Sequence, residues 1–325
     1  MKVALAGLVI QATAPDALAA AVLPLFEACE DAPDGAAADL TIAARPQDAR
    51  VARPDERSLF YASEWHAHAT EGGWALFDGA SRIGVDRDGA RIDVALHPDS
   101  MGDMDAVRVV AVMAALLLAL RRHGLYHLHG GCVRRADGVT VLVAGDSGHG
   151  KSTTTLALLE PGARIVGDDT LLLRATASGV EIHGVPRWFH VTENTWRAFD
   201  WLADAEVPDR RTVLGKRCID PRRLSRGELV DHVPWSAPAL LLLPRVDATQ
   251  PTEWQPLDAA DAFGALLVAS AWVVVDDIPG REAHLELLGA LTRVAVAVDG
   301  RMGPDALRDP AVLPAWIRRV LVDQP

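Results

Sequence analysis

The chain has 325 residues, enough for one large domain or two, and half of them are hydrophobic. Its formal net charge of -12 argues against nucleic acid or an anionic membrane as partner, because both call for a basic surface. Cys29, Cys132 and Cys218 are too few and too scattered for a disulfide framework or a Cys-x-x-Cys metal site, so a reduced, cytoplasmic setting is expected.

Residues 1–14 carry one lysine and a short apolar run, an imitation of a signal peptide that reads better as a first strand over 2–12. Residues 15–29 show helical amphipathicity, with Pro24 placed to interrupt it. A polar loop covers 31–38, a short strand Leu40 to Ala44, and a charged exposed stretch 46–57. From Gly72 to Pro98 the pattern alternates, with turns at Asp78-Gly79 and Asp88-Gly89, which predicts a meander of about three strands. Residues 103–123 form a long apolar helix that Gly124 is placed to cap; its apolar core, 109–120, is too short to span a bilayer. A domain boundary is expected near residue 100, separating a smaller β-rich α+β region (1–100), a candidate substrate-binding region, from residues 101–325.

Tyr126 to Arg134 and Val139 to Ala144 flank a hairpin signal at Ala136-Asp137-Gly138. Beyond it come a helix from Thr153 to Glu160, a short strand from Ala163 to Val166 ending in Gly167-Asp168-Asp169, and a hairpin over 170–184. A helix over 192–204 has Thr192 as its candidate N-cap, and 205–228 is an arginine-rich loop with a short strand. A strand over 239–244, helices over 258–273 and 281–292, a strand over 292–298 and a closing helix over 311–322 complete an alternating α/β pattern.

The chemistry is concentrated between Val139 and Asp169. Gly145-Asp146-Ser147-Gly148-His149-Gly150-Lys151-Ser152 fits Gly-x-x-x-x-Gly-Lys-Ser/Thr, preceded by a strand and followed by a helix, the setting a phosphate-binding loop requires. Backbone amides of Gly145, Ser147, Gly148, His149, Gly150 and Thr153 are candidates to cradle phosphate oxygens of ATP, with the helix N-terminus adding a favourable dipole. Lys151 is placed to reach the β- and γ-phosphates and Ser152 to hold Mg²⁺. His149 occupies a variable loop position and is expected to face solvent.

All but three of the 32 basic residues are arginine; the lysines are Lys2, Lys151 and Lys216. A chain that otherwise uses arginine keeps lysine at the loop, where a compact ammonium suits phosphate, and this singles out Lys216 as a further candidate nucleotide contact. The only asparagine, Asn194, is followed by threonine, which excludes an Asn-Lys-x-Asp guanine reader and the protein-kinase catalytic loop. The pair Asp168-Asp169 offers one carboxylate for Mg²⁺ and one to take a proton from a hydroxyl; adjacent aspartates also simply cap turns.

Leu128-His129-Gly130, the 145–152 loop and Val166-Gly167-Asp168-Asp169, at this spacing, resemble the catalytic domain of HPr kinase/phosphorylase, which shares its core with ATP-type phosphoenolpyruvate carboxykinases. The resemblance covers roughly residues 126–190. It implies an α/β P-loop kinase domain of HPr kinase/phosphoenolpyruvate carboxykinase-like architecture, with Asp168 as general base, Asp169 as the metal-side carboxylate and His129 beside the base. Read alone, His129 on an apolar strand is more often a core histidine, and His127 is a weaker candidate on the same face. Gly167 stands where the family usually has alanine, and neither the family's regulatory domain nor its glycine-rich signature beyond the aspartates is visible. The layout therefore looks closer to the HPr-kinase-related proteins of bacterial biosynthetic clusters, some of which phosphorylate a serine of a lasso-peptide precursor.

The expected activity is Mg²⁺-dependent transfer of the ATP γ-phosphoryl group to a serine-like hydroxyl of a peptide or small molecule. An ATP-binding regulatory or scaffold module without transfer is the alternative. Carboxykinase-like chemistry ranks last, for want of an arginine clamp and further metal ligands. Arg187 and Lys216-Arg217 can bring positive charge to the transferring group, whereas Arg210, Arg211, Arg222, Arg223 and Arg226 read as a solvated loop. Trp188, Trp196 and Trp201 read as packing rather than a base-stacking platform. A homo-oligomer stays open.

Overall fold

A computed structural model describes the chain apart from residues 213–214, 248, 271–274, 276–277, 310 and 323–325, and apart from the side chains of 208–211 and 322. The chain divides into two units, Met1–Tyr126 with 272–282, and His127–Ala271 with Ala283–Pro325.

The first unit opens on β1 (Lys2–Leu5) and β2 (Leu8–Thr13), a hairpin where the sequence predicted one strand. Ala6 and Gly7 both take positive φ, 48° and 78°, which folds the apolar run back on itself. In α1 (Asp16–Val22) the helix gives way to a 3₁₀ turn, Leu23–Phe26, around Pro24, whose ring nitrogen has no proton to donate. Next come β3 (Glu30–Asp31), β4 (Leu40–Pro46), β5 (Phe60–Ala62), β6 (Trp65–Thr70), β7 (Gly73–Phe77), β8 (Arg82–Asp86) and β9 (Arg91–Leu96). The expected meander is β7-β8-β9, with Gly79 and Gly89 at its turns in left-handed conformation. It forms the middle of a nine-stranded sheet of order β3-β1-β2-β4-β9-β8-β7-β6-β5.

The long apolar helix is built from α2 (Met104–Ala106), a π-helical stretch Val107–Val112 and α3 (Met113–Arg122), and Gly124 follows it at φ 71° as expected. Leu116, Leu118 and Leu120 of α3 are fully buried, each stabilising the fold by about 1.5–3 kcal/mol. Because α3 packs on β8 and β9, it belongs with the first unit. The division therefore falls at Tyr126, not near residue 100. An apolar helix needs an apolar sheet face, and the meander supplies it.

The second unit takes up β10 (Tyr126–Leu128), β11 (Gly131–Arg134), β12 (Thr140–Val143), α4 (Lys151–Ala157), β13 (Arg164–Gly167), β14 (Leu171–Thr176) and β15 (Gly179–Gly184). Then follow β16 (Phe189–Val191), α5 (Glu193–Ala198), β17 (Glu206–Arg211), β18 (Arg217–Ile219), β19 (Glu228–Leu229) and β20 (His232–Trp235). Last come β21 (Ala239–Val246), β22 (Glu253–Pro256), α6 (Ala259–Val268), α7 (Arg281–Val294), β23 (Val296–Met302), α8 (Pro304–Arg308) and α9 (Val312–Val322). Thr192 caps α5 as expected, its hydroxyl accepting from the Thr195 amide.

The central sheet has the order β19-β13-β11-β12-β21-β23-β22, with β12, β21 and β23 parallel and β11 antiparallel between β12 and β13. This is a mixed α/β fold. Val141, Val143, Leu240, Leu242 and Val298 form its buried interior. Smaller sheets, β10-β14-β15-β20 and β16-β18-β17, accompany it. Among the described residues no helix is long and apolar enough to cross a membrane.

One register matters for the site. Gly131 pairs with Val143 and Cys132 with Gly167, so the carboxyl ends of β12 and β13 lie level with the amino end of β11. The loop after β12, the aspartates after β13 and His129 before β11 consequently gather at one sheet edge. Gly131 makes this close packing possible, since a Cβ there would lie 2.1 Å from the Thr155 hydroxyl of α4.

Candidate functional site

The loop after β12 leaves the sheet through the Ala144 amide, which donates to Leu242 at 3.0 Å. Gly145, Gly148 and Gly150 have φ of 127°, 84° and 92°, which lets the chain curl without a Cβ penalty. Gly150 is doubly required, because a Cβ there would stand 2.2 Å from Val246 Cγ2. Val246, at the end of β21, also donates its amide to the His149 carbonyl at 3.2 Å, tying the loop to the neighbouring strand. Asp146, Ser147, Gly148 and His149 are exposed, and His149 Nδ1 lies 4.0 Å from Asp146 Oδ2.

Lys151 folds under the loop and is buried, its ammonium donating to the carbonyls of Gly145 at 3.0 Å and Asp146 at 2.9 Å. Burial lowers its pKa, against the opposing pull of Asp169, Asp168 and Asp146. The charge of Lys216 lowers it further. Thr153 turns inward: its hydroxyl pairs with that of Thr195 at 2.7 Å in a buried contact.

The two aspartates differ sharply. Asp168 is 4% exposed, lies under the influence of the Ser152 hydroxyl, and has a buried Oδ1 without a hydrogen-bond partner. Burial pushes its pKa up to about 6, with the Ser152 hydroxyl and Lys151 opposing and Asp169 reinforcing the rise. Asp169 has φ 74°, one of the few positive values at a non-glycine residue, and its side chain is half exposed. Packing around it disfavours the charge, but Arg187, His129, His190 and His127 outweigh that and hold its carboxyl below the usual range.

His129 Nδ1 lies 2.8 Å from the Asp169 carbonyl and 3.4 Å from its Oδ1. Arg187 reaches Asp169 Oδ2 at 3.4 Å and donates to the Thr170 hydroxyl at 3.0 Å. The structure thus brings together the loop, Lys151, Ser152, both aspartates, His129 and Arg187. His190 on β16 and Thr170 belong to this group and carried no linear signal. Arg217 is tied to Glu193 at 2.8 Å and Glu206 at 2.6 Å and stacks 3.8 Å over Trp196, so it serves packing. Arg222 pairs with Asp220, Arg226 lies over Trp201, and the side chains of Arg210 and Arg211 fall outside the described residues.

Among the described residues no three His, Cys, Asp or Glu side chains converge as a metal cage. Mg²⁺ needs none, since one or two carboxylates with phosphate oxygens and water complete its shell. The unpartnered, buried Oδ1 of Asp168 next to Ser152 fits that requirement.

No family model and no curated protein matches the chain. Among solved structures it is similar to the Hpr(Ser) kinase/phosphatase from Coxiella burnetii, with 15% identity over 59% of this chain and 94% of that one, at a TM-score of 0.29. A likeness that loose carries no argument by itself.

Proposed function

We propose that the second unit is an ATP-dependent phosphotransferase acting on a hydroxyl acceptor, a P-loop kinase in which residues 145–152 bind the triphosphate. The observation that carries this reading is the convergence of Lys151 and Ser152 with the Asp168-Asp169 pair at one sheet edge. The amides of the glycine loop cradle phosphate oxygens, and Lys151 exchanges its loop carbonyls for them when nucleotide enters. Ser152 and one carboxylate of the aspartate pair would hold Mg²⁺, which neutralises charge on the phosphates. The remaining carboxylate meets the acceptor hydroxyl, with His129 and Arg187 fixing its place. Most of the rate would come from positioning and fixed charge, as phosphoryl transfer asks little covalent work of the protein. The acceptor is a serine-like hydroxyl on a peptide or small molecule, and the relatives to seek are HPr-kinase-like.

The test is incubation with γ-labelled ATP, Mg²⁺ and a panel of peptide and small hydroxyl acceptors, with Lys151→Ala as control. Labelled product that disappears in the control supports the reading. Nucleotide binding without product in any extract would instead select the regulatory module.

A further inference from the structure

Resting on the phosphotransferase reading, we propose that the aspartates divide the work in the reverse of the order the family resemblance implies. Asp168, with Ser152, is the Mg²⁺-side carboxylate, and Asp169, held by His129 and Arg187, meets the acceptor hydroxyl.

The contacts separate the two. The Ser152 hydroxyl, at the loop position that the motif assigns to the metal, acts on Asp168 and not on Asp169 in the balance of charges around the pair. The Oδ1 of Asp168 is buried without a donor, and a bare carboxylate oxygen in a closed setting is costly until a cation or donor reaches it. At 4% exposure Asp168 is far less open to an incoming acceptor than the half-exposed Asp169.

Asp169 is the opposite case. A guanidinium and an imidazole each stand 3.4 Å from its oxygens, and His190 and His127 add to the positive field. A metal ion there would displace favourable partners and face like charge. Half of its side chain is open to solvent, and its backbone is left-handed at φ 74°. Left-handed conformations at non-glycine residues are uncommon and concentrate at working sites.

In the step this assigns, the acceptor O–H gives its proton to an Asp169 oxygen while the acceptor oxygen bonds to the γ-phosphorus. The bond from that phosphorus to the β-phosphate oxygen breaks, its electron pair leaving with ADP. The proton then passes from Asp169 to solvent.

The experiment measures ADP affinity with and without Mg²⁺ for wild type, Asp168→Asn, Ser152→Ala and Asp169→Asn, with the Mn²⁺ resonance spectrum of the ADP complex as a second readout. Mg²⁺ should tighten ADP equally in wild type and Asp169→Asn. That gain should fall about tenfold or more in Asp168→Asn and Ser152→Ala, and only these two should alter the Mn²⁺ spectrum. Ser152→Ala removes only one oxygen atom, so the question stays answerable if Asp168→Asn fails to fold. Loss of the Mg²⁺ gain in Asp169→Asn, alone or together with Asp168→Asn, overturns the assignment while leaving the nucleotide reading intact. A folded wild type that binds no ADP in either condition overturns both.

Discussion

His129 Nδ1 donates to the backbone carbonyl of Asp169 at 2.8 Å, a bond spanning 40 residues of sequence. A carbonyl only accepts, so the bonded Nδ1 carries a proton. The ring therefore holds the strained Asp169 backbone at φ 74° and flanks its carboxylate at once. His129→Ala should cost about 1 kcal/mol of stability through the lost bond and slow transfer by at least roughly tenfold. ADP affinity should stay within about twofold, since the ring's polar contacts are with Asp169. Single-turnover transfer beside an ADP titration checks this. Equal losses in affinity and rate would place His129 with the nucleotide instead.

Asp168 makes stability depend on pH in a stated direction. Its folded pKa, about 6, lies above the 3.8 of an ordinary aspartate, so the folded protein holds the proton more tightly than the unfolded chain. Its contribution is fully present below the unfolded value and is lost as pH rises through the folded one. Asp168→Asn should therefore stabilise the protein at pH 7–8 by up to roughly 2–3 kcal/mol and have little effect near pH 4. Urea unfolding of wild type and variant across that range measures the difference. Mg²⁺ with ADP should shrink it, since a cation at Oδ1 removes the cost of the buried charge.

How much of this was legible beforehand depended on whether the residues are neighbours in the chain. The glycine loop and the aspartate pair are contiguous runs with fixed geometry, so their gathering at one sheet edge follows from strand order alone. The β7-β8-β9 meander was readable for the same reason, because Asp-Gly turns leave a local signature. The β1-β2 hairpin was hidden by Ala6, which has no turn preference yet takes φ 48°. The unit division was hidden because an apolar helix does not state which sheet covers it. His190 arrives through a three-residue strand paired with β18, a contact no periodicity reports. The different surroundings of Asp168 and Asp169 depend on one left-handed residue, which adjacent identical letters cannot show.

Gly150 offers a test of the loop's backbone. Alanine there would carry both a left-handed φ of 92° and a Cβ 2.2 Å from Val246 Cγ2. The first costs about 1–2 kcal/mol and the second about 1–3 kcal/mol. Val246→Ala removes the clashing methyl but leaves the φ penalty. The double variant should therefore recover about half of what Gly150→Ala loses, a coupling that denaturant unfolding of the four proteins would show. Strict additivity would mean that loop and strand do not touch as described.

Lys216 is the last residue singled out by composition whose role can be measured. It closes a turn in which the Thr212 amide donates to its carbonyl at 3.0 Å and its own amide donates to the Thr212 hydroxyl at 3.1 Å. From there its ammonium acts on Lys151, lowering that residue's pKa. Two like charges that act on one another repel less once an anion binds near them, and a triphosphate answers that field better than a monophosphate. Lys216→Ala should thus weaken ATP about tenfold and AMP by no more than about twofold, the size expected for one charge-assisted contact. The ATP difference should narrow as salt rises, because this partly exposed charge is screened. Titrations of ATP and AMP at low and high salt decide the matter. If Lys216→Ala weakens both nucleotides alike, the residue acts on the loop's conformation rather than on the outer phosphates.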